Sequence, residues 1–288
     1  MSQVCDYTKI QIETNEEIKN MFAPKDTEKP IIPVRLNLDS TICFSCDKEL
    51  ACFTRCCHNN STYLTPYDVI RIKKRLNMPS DELLLRFTVP GKIEASDLPV
   101  PMVRHDESRE NACPFLGEDG CSIYEDRPVS CRYYPVAAGL FHNADISDNE
   151  QFFALVKEGY CLGHDLGTEM TIAEWRENQG IPPYDEHNKG WVELILRRKS
   201  LGPFVTIPEK TLDMFFMASY NLDAFRRFVL YSPFLNIYEI PQDRLDKIKT
   251  DDLALLQLGY DWLMTTLFGA GKLKIIEQVA PADSIEID

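Results

Sequence analysis

The chain has 288 residues and a formal net charge of -14. With 44% hydrophobic and 26% charged residues it has the composition of a globular protein, with room for one large domain or two modest ones. So acidic a chain is repelled by phosphate backbones at long range, which makes nucleic acid a poor default partner, and no apolar run reaches the ~20 residues of a membrane-spanning helix.

Residues 1–36 are polar and mixed, with Pro24, Pro30 and Pro33, and read as an extended lead-in with one short helix over 16–22. Neither a secretory signal nor a lipidation motif is visible, so a cytoplasmic location is expected.

Residues 37–165 hold nine of the ten cysteines. Cys43-Phe-Ser-Cys46 is followed by Cys52, Cys56 and Cys57; a second group is Cys113, Cys121 and Cys131; Cys161 follows alone, and Cys5 stands in the lead-in. In a reducing compartment, thiols clustered in this way hold metal more often than disulfides. Thiolates are soft, charged donors suited to zinc and to iron–sulfur clusters. Neighbouring side chains diverge by about 100° on a helix and about 180° on a strand. Cys56 and Cys57 therefore fit two sites, or one site with several metals, better than one tetrahedral ion. Cys5 reads as a small buried hydrophobe or an unordered residue. Cys43 fits either reading, whereas the dense run from Cys46 to Cys57 points to metal.

Within the same stretch, Thr65 and Pro66 open a helix carrying Val69, Ile72 and Leu76 at helical spacing. Its Arg71, Lys73, Lys74 and Arg75 read as a solvated face. Ser80 is expected to cap a second helix with Leu83, Leu84 and Phe87. Residues 98–103, punctuated by Pro99 and Pro101, can only be an edge or irregular strand. Residues 113–116 and 121–124 flank a Gly-rich turn and read as a hairpin. Asp126, Arg127 and Arg132 read as a local ion pair and turn that position Cys131; neutralising a charged cluster, or binding a carboxylate, is the alternative. His58 and His164 stand close to cysteines, but the thiols suffice without them, so packing or exposed roles are expected. His105, His142 and His187 have no recognisable partners.

Residues 166–280 contain no cysteine and read as helices. Thr171 and Glu174 form a capping box with Gly180 as the stop. Asp185 is placed as the cap of a helix through Trp191, Leu194 and Ile195 that ends near Gly202. Residues 208–231 form helix with a break near Asn221, and Thr250 is placed as the cap of a long apolar helix ending at Gly269. Gly269-Ala-Gly-Lys272 lacks the spacing of a phosphate loop and follows a helix, so it reads as a helix stop. Tyr133, Tyr134, Phe215 and Phe216 read as core, and no nucleophile elbow or dinucleotide fingerprint is present. Residues 281–288 are an acidic tail. The expected fold is mainly α, with a small irregular α+β cysteine-rich metal-binding domain over 37–165 and a helical region over 166–280.

Cys46, Cys52 and Cys56-Cys57 are followed by Tyr63-Leu-Thr-Pro-Tyr-Asp-Val, Cys113-Pro-Phe-Leu, Gly120-Cys-Ser-Ile-Tyr-Glu-Asp-Arg-Pro and Ser130-Cys-Arg-Tyr-Tyr-Pro135. In these motifs the chain resembles the YkgJ-type cysteine-cluster family of zinc- or iron-chelating domains, closely over 44–165, with the later helices similar to its longer members. The resemblance implies metal binding by Cys46, Cys52, Cys56, Cys57, Cys113, Cys121, Cys131 and Cys161. Cys43 departs from the family pattern, where an apolar residue is usual. The favoured cofactor is an iron–sulfur cluster, with Zn2+ as the other, in an electron-transfer or structural metalloprotein. One alternative is a cluster-dependent protein-lysine methyltransferase, by analogy with the flagellin lysine methylases, which resemble this family in their cysteines. Another is a zinc-stabilised module for an unidentified protein partner.

Overall fold

In a computed structural model, residues 31–94, 96–141, 150–202 and 205–276 are described. Cys5, His142, the helix expected over 16–22 and the acidic tail lie outside them. Helices supply most of the regular structure. Those that begin and end the long elements are α1 (Pro66–Leu76), α2 (Ser80–Phe87), the short α3 (Val129–Tyr133), α4 (Ile172–Asn178) and α5 (Pro182–Ser200). They are followed by α6 (Glu209–Ser219), α7 (Leu222–Tyr231), the one-turn α8 (Phe234–Ile237), α9 (Gln242–Ile248) and α10 (Asp252–Phe268).

Local chemistry explains most of the helix starts. Thr65 accepts from the Asp68 N–H while the Asp68 carboxylate accepts from the Thr65 N–H, a complete capping box with Pro66 just inside. Thr171 and Glu174 repeat the device at α4. Asn221 caps α7 at the expected break, and Gly269 closes α10 in the left-handed region, φ 62°. Three caps differ from expectation. Pro79, not Ser80, precedes α2, because the buried Ser80 hydroxyl is engaged by Asn221 and Asp223 of the α7 start. Asp185 lies one turn inside α5, where it accepts from Tyr133 Oη and Arg176. Asp251 rather than Thr250 caps α10, its carboxylate accepting from Leu253 and Ala254 N–H.

Strands are more numerous than the sequence suggests. β1 (Ile31–Leu36), β8 (Glu150–Val156) and β7 (Val136–Phe141) make a three-stranded antiparallel sheet in that order. β2 (Thr41–Phe44) pairs with β9 (His164–Thr171), β3 (Thr88–Ile93) with β4 (Leu98–Val103), and β5 (Leu116–Gly117) with β6 (Gly120–Cys121). β10 (Tyr238–Glu239) and β11 (Lys274–Ile275) form a last short pair. β4 is also met on its other edge by residues 62–64, where Leu64 N–H donates to the Pro101 carbonyl and Val103 N–H to that of Thr62, so no bond there needs a proline donor. The expected hairpin at 113–124 is present but pairs only through Leu116–Gly117 and Gly120–Cys121.

Two apolar clusters organise these elements. The larger joins Leu64, Val69, Ile72, Leu83, Val100, Phe115 and Ile123 to Leu194, Phe215, Phe225, Leu256 and Trp262, so the cysteine-bearing hairpin and the late helices share one core. The smaller, around Ile42, Phe44, Tyr133, Phe153 and Trp175, lies beneath β2, α3 and α4. The basic run on α1 is not simply a solvated face: Lys74 is exposed, but the other three make ion pairs. Arg71 and Arg75 both clamp the Asp126 carboxylate at 2.5 Å, and Lys73 bridges Asp223 (2.7 Å) and Asp252 (3.2 Å).

Candidate metal centre

Three local structures bring the cysteines together. The pairing of β2 with β9 carries the chain from Phe44 into Ser45 and Cys46 beside the segment that enters at Cys161, and Ser45 N–H donates to the Gly163 carbonyl at 3.1 Å. A Cβ on Gly163 would come within 2.3 Å of the Ser45 carbonyl oxygen, so glycine is needed for this approach. A 3₁₀ turn at Arg55–Cys57 then presents Cys56 and Cys57, and the Cys113 N–H donates to the Cys57 carbonyl at 2.7 Å. The β5–β6 hairpin returns the chain from Cys113 to Cys121, and Cys131 sits at the centre of α3.

α3 has only five residues and is held from outside. Its first N–H, that of Val129, donates to the fully buried Asp68 carboxylate at 2.8 Å. Buried Arg132 donates to three carbonyls, those of Arg127 (3.1 Å), Gln179 (2.7 Å) and Glu125 (2.5 Å), and lies over the Tyr184 ring. The ion pair expected among Asp126, Arg127 and Arg132 is replaced by the clamp of Asp126 to α1, while Arg127 packs on the Tyr124 ring and donates to Gln179. Burial pushes the Asp68 carboxyl up to about 6, against the hydrogen bonds from Thr65 and Val129 and the charge of Arg132.

Cys46, Cys52, Cys56, Cys57, Cys113, Cys121, Cys131 and Cys161 are all free thiols. Cys43 is not one of this group; it is disulfide-bonded and almost fully buried. The eight form one electrostatic neighbourhood. Desolvation, then the charges of Cys56, Cys161, Cys52 and Asp47, push the Cys46 thiol up to about 11. Desolvation likewise lifts Cys113 to about 11, with Cys121 and Cys56 adding to it. Cys131 rises to about 12 through desolvation and then Cys113, Cys56, Asp68 and Cys121. Cys56 is drawn down to about 7 by a hydrogen bond from the adjacent Cys57 thiol, which is raised in turn by the same bond, by desolvation and by Cys56, Cys113 and Cys131. Cys56 therefore touches the field of thiols on every side of the group.

Backbone donors point at several of these sulfurs. The Leu162 N–H donates to Cys52 Sγ at 3.2 Å, and the Phe115 and Ile123 N–H groups bond to the Cys113 and Cys121 thiols, two residues earlier in each case. Such donors favour the charged form of the sulfur. Cys46, Cys56 and Cys131 are exposed, so one side of the group faces solvent. Among the described residues, no three His, Cys, Asp or Glu groups are already closed around the position of a single ion. The donor set itself, eight free thiols of which several act on one another through their charges, has the soft ligands that a thiolate-bound metal centre requires.

The charge of His58 helps to lower the Cys56 thiol. His58 Nδ1 is 3.1 Å from the Glu110 carbonyl oxygen, and His164 is buried, with Nε2 3.1 Å from Tyr134 Oη. Sequence reasoning missed the role of Asp68. Asp68 was visible as the last residue of a Thr-Pro-Tyr-Asp start, but its second partner, Val129, lies 61 residues away.

A family model, CxxCxxCC, described as "Putative zinc- or iron-chelating domain", matches residues 45–161. No curated protein and no solved structure matches the chain. No helix among the described residues is long and apolar enough to cross a membrane.

Proposed function

From the premise that this chain belongs, through residues 45–161, to the cysteine-cluster family of zinc- or iron-chelating domains, we propose that it is an iron–sulfur protein acting in electron transfer or as a cluster-stabilised scaffold. Its ligands are Cys46, Cys52, Cys56, Cys57, Cys113, Cys121, Cys131 and Cys161. The observation that carries this reading is the set of eight free thiols, with the charge of Cys56 acting on Cys46, Cys57, Cys113, Cys121 and Cys131. Separate zinc ions would divide the group; a polynuclear centre, or two adjoining ones, uses it whole. The amide donors at Cys52, Cys113 and Cys121 support the same reading, since hydrogen bonds to sulfur tune cluster potentials. In this proposal residues 37–165 are the metal-binding part and the helices that follow are its support, in a cytoplasmic protein.

The test is the metal and acid-labile sulfide content of protein purified without oxygen. Iron with matching sulfide supports the proposal. Zinc without sulfide overturns the cluster and leaves a structural metal domain. Cys56→Ser and Cys57→Ser should each lower the metal content, and full content in both variants would remove these residues from the ligand set.

A further inference from the structure

We propose that the cavity between α5, α6 and the end of α10 binds a small apolar carboxylate, of the class of medium-chain fatty acids, whose head is held by the buried guanidinium of Arg198. The inference does not depend on the iron–sulfur reading, since no cysteine is among the described residues that line this cavity.

The cavity has a volume of about 230 Å³. Leu98 of β4, Leu194 of α5, Phe215 of α6 and Leu267 of α10 form its walls, with Leu201 and Val205 beside them. Leu194 and Phe215 are fully buried, whereas Leu201 and Val205 are 48% and 44% exposed, so the apolar lining runs from the core out to solvent. Drug-sized ligands fill pockets of about 300–1,000 Å³, and a cavity just below that range suits a short chain or a single ring.

Arg198 is the one charged side chain among the described lining residues, and it is only 5% exposed. Nη1 donates to the Gly202 carbonyl at 3.1 Å and Nη2 to the Val205 carbonyl at 2.8 Å. Nε is buried and has no hydrogen-bond partner. A buried cation left with two neutral acceptors is costly, and charges in such positions are normally paired. A guanidinium has five N–H donors in a plane, and a carboxylate accepts two of them side by side. Nε–H and the second N–H of one Nη offer such an edge, while the two carbonyls hold the guanidinium in place beforehand.

The other polar side chains of the lining are the threonines Thr206, Thr211 and Thr266. With one cation and no second, the site neutralises a single negative charge. That favours a carboxylate over a phosphate, which carries close to two charges at neutral pH. The apolar walls take the body of the ligand and keep water from the ion pair, which strengthens it.

The experiment is calorimetric titration of the full-length protein, purified without oxygen, with sodium octanoate and with 1-octanol. Octanoate should bind at least about tenfold more tightly than octanol, the contribution of roughly one charge-assisted pair. Arg198→Gln should weaken octanoate about tenfold and leave octanol within about twofold. If Arg198 only held the fold of the cavity, both ligands would weaken alike, and that outcome overturns its role in binding. Equal affinities for the two ligands in the wild type, or unchanged octanoate binding in a folded Arg198→Gln protein, overturns it as well. If neither ligand binds, or inorganic phosphate binds more tightly than octanoate, the site assignment fails. If Arg198→Gln does not fold, Thr211→Trp decides. A large ring at this half-buried lining position should abolish octanoate binding, and full binding in that variant overturns the site.

Discussion

The thiol-bearing segments and the late helices are stabilised by different physics. In the helices, Phe215, Tyr220, Phe225 and Phe234 are fully buried, and Trp262 packs on Phe225, Phe228 and Phe234 at 5.4–5.7 Å. Burial of large apolar side chains is enough to hold such a unit, at roughly 1.5–3 kcal/mol for each. The turn at Arg55–Cys57 buries no residue, and α3 is a helix of five residues. Isolated elements that short are not stable. What holds them is a set of polar ties to distant elements: Val129 to Asp68, Arg132 to three carbonyls, Asp126 to α1, and Cys113 to Cys57. Polar ties of this kind fix positions more than they add net stability. A metal bound by the eight thiols would supply the missing free energy, which is why ligand-rich segments can do without a core of their own.

The sharpest way to break this contrast is to strip the metal under reducing conditions and follow amide exchange. Amides near Cys56, Cys113 and Cys131 should exchange at least ~100-fold faster, while those of α10 change by less than about threefold. Equal loss in both regions would show that the metal supports the helices as well. A converse experiment is Trp262→Ala, expected to cost about 3–5 kcal/mol in denaturant unfolding while the metal content stays at the wild-type level. Loss of metal in that variant would mean that the thiol group depends on the shared core rather than on its local ties.

A smaller effect isolates one tie. The Asp68 carboxyl is held up at about 6, against an ordinary 3.8, by burial. The native state therefore binds this proton more tightly than the unfolded chain does. The stability it contributes is present at low pH, falls as pH rises from the unfolded value to about 6, and is level above that. Asp68→Asn removes the titration. The stability of wild type relative to Asp68→Asn should drop by about 2 kcal/mol between about pH 4.5 and pH 7. A difference that does not vary with pH would show that Asp68 titrates normally and is not the buried anchor of α3.

The features legible in the sequence were those written over a few neighbouring residues. Thr65 with Pro66, Thr171 with Glu174, the break at Asn221 and the stop at Gly269 all stand as read, because capping needs only local donors and acceptors. The cysteine spacings announced a metal-binding family for the same reason, and residues 45–161 match it. Strands were under-read: β9, the octapeptide from His164 to Thr171, shows no alternation, and prolines in β3 and β4 hid their ribbon.

Composition, the main helices and the identity of the thiols thus follow from the chain alone, since each depends on residue type or on contacts a few positions apart. Only the tertiary structure decided that Arg71 and Arg75 clamp Asp126, that Ser80 belongs to the start of α7, and that the carboxylate of Asp68 carries the helix of Cys131. It alone set the Tyr134 hydroxyl 3.1 Å from His164 Nε2. Each of these pairs charge or hydrogen-bonding capacity that becomes costly when buried, and which partner satisfies it depends on which distant elements the apolar cores bring into contact.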